Sequence, residues 1–498
     1  MNDNAGSETG NLNAVPDSSL LHGKALASQF CQSCHLLPDP SMLDKANWNI
    51  ILPKMGLRLG IKSHNGVNYE NPDKVIAAEE RSLIPAYPAM NAQKWQNILD
   101  YYVVTAPDAL NPQNKNSIKS HLASFSVHSV PNFLYRKNLM ASYLKIDNSV
   151  KPGRLFVFET YSKQLFLLDH QLKVLDSIST DGIIVDINFQ NKEILAVTMG
   201  TKLNMTDKEK TGTVFPLVID KSGKMHVKPP VFKDLSIPVQ IISADLNGDN
   251  RIDFLLCEFG FLTGALTWME NKGSGKYQRH VIRNFPGSVK AYVTKSKQGL
   301  PDLWVLFAQG EEGIFHFKNK GGGVWESSQV IRFPSLYGST SFEMLDMNHD
   351  GFEDIVYTSG DNGDLTGILK PYHGVYIYLN DGNDKFTKSY FYPINGCYKV
   401  IAKDFGNSGN IDLAIIAFFT DETKPEESFV FLKNEGDLNF TPYVLSPEYS
   451  LESILTMDSG DLNDDGRTDL ILGNAFPFPG KPGYNKTEPL FIILNNIK

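Results

Sequence analysis

Three nine-residue stretches constrain this chain more than anything else in it: 245–253 (DLNGDNRID), 346–354 (DMNHDGFED) and 461–469 (DLNDDGRTD). Each ends on an aspartate that opens directly into an apolar run: FLLC, IVY and LILG. A tight polar loop feeding a short apolar strand, repeated along a chain, excludes a helical bundle and predicts a β-repeat array. A decayed fourth copy lies at 404–412, and apolar runs also follow Arg154, Glu193 and Asp302, giving seven units. The last six anchors are 49 to 60 residues apart, room for four short antiparallel strands each. One unit shows all four as VQIISAD, DFLLCEF, ALTWMEN and YQRHVIR.

The loops carry their own chemistry. Side-chain oxygens stand at positions one, three, five and nine, with a backbone carbonyl at seven, a donor set that wraps a hard cation such as calcium. The donors are Asp245, Asn247, Asp249, Arg251 and Asp253; Asp346, Asn348, Asp350, Phe352 and Asp354; and Asp461, Asn463, Asp465, Arg467 and Asp469, with Arg251, Phe352 and Arg467 acting through their carbonyls. Position twelve is Leu256, Tyr357 or Leu472 rather than glutamate, so an EF-hand is excluded. Asn/Asp/Gly turns can exist without metal, but three copies with matching donors point to calcium. The units at Arg154, Glu193 and Asp302 lack the acidic loop and are expected to be metal-free.

The final unit stops after its third strand (LFIILNNIK), while FSVHSV at 125–130, upstream of the first unit, alternates as a strand does. It can supply the missing edge and close the ring. The array resembles the FG-GAP or VCBS repeats of integrin-type propellers and bacterial surface proteins over about 370 residues. That resemblance implies a seven-bladed β-propeller over 125–498 with calcium on its loops, and implies no reaction.

Ahead of the array, Cys31-Gln32-Ser33-Cys34-His35 is the attachment pattern for c-type haem. Two thiols add to the porphyrin vinyl groups as thioethers, and the adjacent imidazole becomes an axial iron ligand. A zinc site would need two more ligands nearby, but Cys257 and Cys397 are distant and read as lone buried thiols; a thioredoxin-like pair belongs at a strand-to-helix junction. Helical patterns run from Leu20 to Phe30 and from Asn91 to Val104, the second with Trp95, Ile98, Leu99 and Tyr102 on one face. Residues 18–108 resemble a class I cytochrome c, with CQSCH as the specific element. Pro38 is placed to offer a carbonyl to the histidine ring.

A methionine sulfur is the usual sixth ligand in that class. Met55, in ILPKMGLRLGI, and Met90, directly before the last helix, both remain open, with the preference on Met55; Met42 is too close to the motif, and His64 or water is a lesser option. The expected fold class is mainly β: a small all-α cytochrome domain (18–108), a linker (109–124) and the propeller.

The chain of 498 residues carries 47 basic and 56 acidic side chains, a net charge of -9, and no basic tract, which excludes a general affinity for nucleic acid. Its start lacks a secretory signal, yet thioether haem is installed outside the cytoplasm. An exported protein, periplasmic or at the cell surface, is expected, with its signal cut away and a lipid tether as its one link to membrane. The functional expectation is a haem c electron carrier serving a redox partner protein, with the propeller as a docking platform for a protein or glycan. The alternatives are an oxidoreductase with its substrate in the propeller channel and an adhesion or glycan-binding protein. No catalytic constellation is visible in the sequence. The loop 476–486 (FPFPGKPGYNK) is a further candidate partner surface.

Overall fold

The computed structural model describes residues 16–70, 84–115, 117–119, 122, 125–129, 140–190, 193–202, 209–295, 299–363, 367–446, 453–474 and 490–495. The loop 476–486 and Val130 lie outside them. The chain divides into two compact units, Met1–Asn111 and Pro112–Lys498.

In the first unit the expected helices appear as α1 (Asp17–Phe30) and α3 (Ala92–Thr105), with α2 (Lys45–Arg58) between them. Asp44 and Asn91 cap α2 and α3 by accepting the amides of Asn47 and Lys94, satisfying donors the first helical turn leaves bare. Trp95 and Ile98 are completely buried. Helices α1 and α3 cross where Gly23 meets the Asn97 carbonyl; a Cβ on Gly23 would stand 2.0 Å from that oxygen, so only glycine permits the approach. Among the described residues no helix is long and apolar enough to cross a membrane.

The second unit is a β-propeller. Six of its sheets are four-stranded and antiparallel: 141–179, 238–283, 288–332, 339–393, 397–444, and 454–495 completed by Phe125–Ser129. In that last blade Phe125 pairs with Asn495 and Ser129 with Phe491, so the upstream segment does close the array. Each inner strand packs against the next, and Ile454–Gly460 packs against Ala141–Asp147. Second strands such as Asp253–Glu258 and Asp354–Ser359 are buried at every position, whereas the outer strand Val174–Ser179 has no buried residue. Strands sandwiched on both faces demand apolar runs, and outer ones do not.

The unit at Glu193 departs from the expected repeat. It forms a five-stranded sheet over 184–235, in which Gly212–Ile219 pairs with Met225–Val227 along one half and Phe232–Leu235 along the other. Pro229 and Pro230 separate those two strands, and prolines cannot donate to a ladder, so the outer edge breaks there.

Part of the expected linker is laid on the propeller. Gln113 Nε2 donates to the carbonyls of Lys370 and His373 at 3.2 and 2.9 Å, Lys115 pairs with Glu427, Lys119 bridges to Tyr443, and Leu122 is buried in the core.

Candidate functional site

Helix α1 ends on Cys31, whose amide donates to the Ala27 carbonyl at 2.8 Å, and the chain then turns through Ser33, whose Oγ donates to Phe30 O at 2.7 Å. Burial, with Cys34 nearby, pushes the Cys31 thiol up to about 11, while Cys34 is exposed. His35 Nδ1 lies 2.9 Å from the Leu36 carbonyl. A carbonyl only accepts, so Nδ1 is the donor, and in the neutral ring this tautomer leaves the Nε2 lone pair for an iron ligand.

The expected role of Pro38 is corrected here. Its carbonyl accepts from Tyr102 Oη at 3.2 Å, and the histidine ring is oriented by its own neighbour, Leu36. Met55 is half-buried on α2. Met90 is buried just ahead of the α3 cap and lines a cleft of about 400 Å³ with Ile61, His64, Pro88 and Trp95. His64 Nε2 is 2.7 Å from Gln96 Oε1. Met55 and His35 are not among the described residues lining that cleft. Cys257 and Cys397 are buried, unpaired thiols whose pKa burial raises strongly.

The acidic loops fold as nests of hydrogen bonds. Asp245 accepts from the amides of Gly248, Asp249 and Asn250 at 2.8 to 3.1 Å. Asp346 accepts from Asp350 and Gly351, and Asp461 from Asp465 and Gly466. Asn247, Asn348 and Asn463 each donate to the fifth-position aspartate, Asp249, Asp350 or Asp465, at 2.8 to 3.1 Å. Among the described residues no group of three or more His, Cys, Asp or Glu is gathered as a metal cage. The donor chemistry nonetheless fits a cation. Burial raises the carboxyls of Asp253, Asp354 and Asp469, and the other carboxylates of the same loop push them further up, a repulsion that a divalent ion relieves.

The seventh position separates the loops. The Arg251 guanidinium pairs with Asp249, and Arg467 pairs with Asp465 at 2.5 Å. Phe352 supplies no charge and is 43% exposed.

The closing aspartates have a role that sequence reasoning missed. Asp354 is fully buried and accepts from the amides of Met347 at 2.9 Å and Asn380 at 2.8 Å, tying the loop to the third strand. Asp253 ties Leu246 to Asn271, Asp469 ties Leu462 to Asn495, and Asp412 accepts from Asn434. Asp302, in a unit without an acidic loop, still accepts from Asn319 at 2.8 Å. The detectable signal was an asparagine ending the third strand of these five units (MEN, FKN, YLN, LKN, ILNN).

The FG-GAP-like repeat family matches residues 297–357. No curated protein sequence matches the chain. Among solved structures, an ancestral GH74 enzyme aligns at 9% identity and a TM-score of 0.48 over 73% of this chain and 48% of its own. The chain thus spans about half the length of that enzyme. A chain from the S. cerevisiae complex of Dbp5 with Nup159, Gle1, IP6 and ADP aligns at 12% identity and a TM-score of 0.43, over 76% of this chain and 98% of its own. Virginiamycin B lyase from Staphylococcus aureus aligns at 13% identity and 0.39, over 64% and 87%.

Proposed function

We propose that this chain is an exported electron-transfer protein that carries haem c in its first unit and uses the propeller, with calcium in three loops, as a docking platform for a redox partner. One observation carries the reading: the Cys31-x-x-Cys34-His35 turn sits at the end of α1 with His35 Nδ1 committed to a carbonyl and Nε2 left bare. Haem bound there supplies one-electron redox chemistry. The chain's part is to hold it through Cys31 and Cys34, to orient His35, and to offer Met55 or Met90 as a thioether. The close α1–α3 crossing at Gly23 makes a rigid frame for the turn. The five-stranded sheet counts as a seventh blade, because its inner strand Ile184–Gln190 packs between Ala141–Asp147 and Pro238–Ala244.

Platform is preferred to channel enzyme because polar side chains of the inner strands are spent on one another. Lys145 meets Asp458 at 3.4 Å, Lys290 meets Glu343 at 3.0 Å, and Tyr143 Oη donates to Asp186 at 3.1 Å. The test is to export the full chain in a host that installs thioether haem and then unfold it. Haem retained by the denatured chain, with a reducible low-spin spectrum, is the expected result. Haem that never loads, or that washes out on unfolding, sinks the reading.

A further inference from the structure

We infer that a cleft between blades 288–332 and 339–393, at the end where the acidic loops lie, binds a neutral saccharide. It encloses about 480 Å³, within the range of small-ligand sites. The inference stands apart from the haem reading, since it uses only propeller residues.

His316 forms the wall. Its imidazole stacks on the Trp304 indole at 4.0 Å and 10°, and Nδ1 donates to Asp384 Oδ2 at 3.0 Å. The side chain is only 6% exposed, yet Nε2 makes no hydrogen bond, with Asp302 Oδ2 3.4 Å away. A buried ring nitrogen left without a hydrogen bond is costly, and a ligand group that reaches it recovers that cost.

The charge pattern selects the ligand class. Three lysines and three carboxylates line the cleft together with the amides of Asn380 and Asn383, and Lys318 already neutralises Asp384 at 2.9 Å. An anion would meet the carboxylates and a cation the lysines. A hydroxyl both donates and accepts, so a polyol can use both sets without bringing a charge of its own. Phe352, 43% exposed, gives the lip an aromatic surface on which the C–H face of a sugar ring can lie. Its ring rests against Gly382, where a Cβ would come within 2.6 Å, so the lip is built for that aromatic side chain.

The test is calorimetric titration of the full chain, with calcium in the buffer throughout, using cellotriose, maltotriose and N-acetylchitotriose, and trigalacturonate and inorganic phosphate as charged counterparts. At least one neutral trisaccharide should bind, and Asp384→Asn and Phe352→Ala should each weaken it tenfold or more. Phe352 is partly exposed and packs on Gly382, so its variant should stay folded, and a melting curve taken beside the titration separates lost binding from lost stability. Binding of only the charged probes, of none, or of a neutral sugar with both variants at wild-type affinity overturns the inference.

Discussion

Blades 141–179 and 339–393 close the same corner in opposite ways. In the first, the corner holds Asp147, 1% exposed, and the chain supplies its own counter-ion: Arg154 Nε stands 2.8 Å from Asp147 Oδ2. In the second, Asp346, Asp350 and Asp354 share one loop, and the seventh residue, Phe352, brings no charge. The loops at 245–253 and 461–469 are intermediate, each with an arginine on its fifth-position aspartate. The chain thus neutralises this corner from within in one blade, while in the other the seventh residue supplies no charge, which is where the proposed calcium would act.

The largest effect should come from removing the internal cation. Arg154→Met leaves Asp147 buried and unpaired, which should cost about 3 kcal/mol of stability in denaturant titration. Calcium should not restore it, because that corner has a single carboxylate; restoration by calcium would break the comparison. Asp354→Ala should come next, at about 2–3 kcal/mol, because the buried amide of Met347 and the half-buried amide of Asn380 lose their acceptor. A near-silent Asp354→Ala would mean that the staple is incidental and that the aspartate serves only the metal.

Much of the propeller was readable because its signals are local. A loop and the strand it feeds are adjacent in sequence, so the apolar runs after Asp253, Asp354 and Asp469 located the second strands, and alternation at 125–129 located the closing strand. The Cys31–His35 motif is equally local. What escaped depends on distant partners. The histidine ring bonds the Leu36 carbonyl, while the Pro38 carbonyl serves Tyr102, 64 residues on, a contact that no local pattern announces. Polar residues 113–119 look like a linker until Lys370, Glu427 and Tyr443 come to meet them. The cleft at His316 joins Asp302 and Asp384, and no periodicity links them. The broken outer strand near Pro229 was visible as composition but not as a sheet edge.

A smaller effect tests the intermediate loops. Chelating calcium should lower propeller stability by about 1–2 kcal/mol, as expected when a ligand that binds only the folded state is withdrawn. Phe352→Arg, which gives the 346–354 loop the seventh residue of its sisters, should shrink that response. An unchanged melting curve on chelation, in both proteins, would remove calcium from the corner altogether.

The smallest expected effect concerns the decayed loop, where Asp412 keeps the closing position without the full acidic set. Burial lifts its carboxyl from 3.8 to about 6, with Asp404 adding repulsion, while the amides of Asn434 and Phe405 and the charge of Lys433 oppose the rise. The folded state thus binds this proton more tightly than the unfolded chain. Its contribution is full below about 3.8, and it is lost as pH rises through about 6. The expected effect is on the order of 1 kcal/mol. Asp412→Asn cannot titrate, so melting temperatures of variant and wild type should diverge across that window, the wild type losing ground as pH rises. Carboxyls held low elsewhere, such as Asp220 and Asp384, pull the opposite way in both proteins and cancel in the difference. Parallel curves from pH 4 to 7 would show that Asp412 meets enough positive charge to ionise freely, and the decayed corner would then belong with the self-sufficient blade at Arg154.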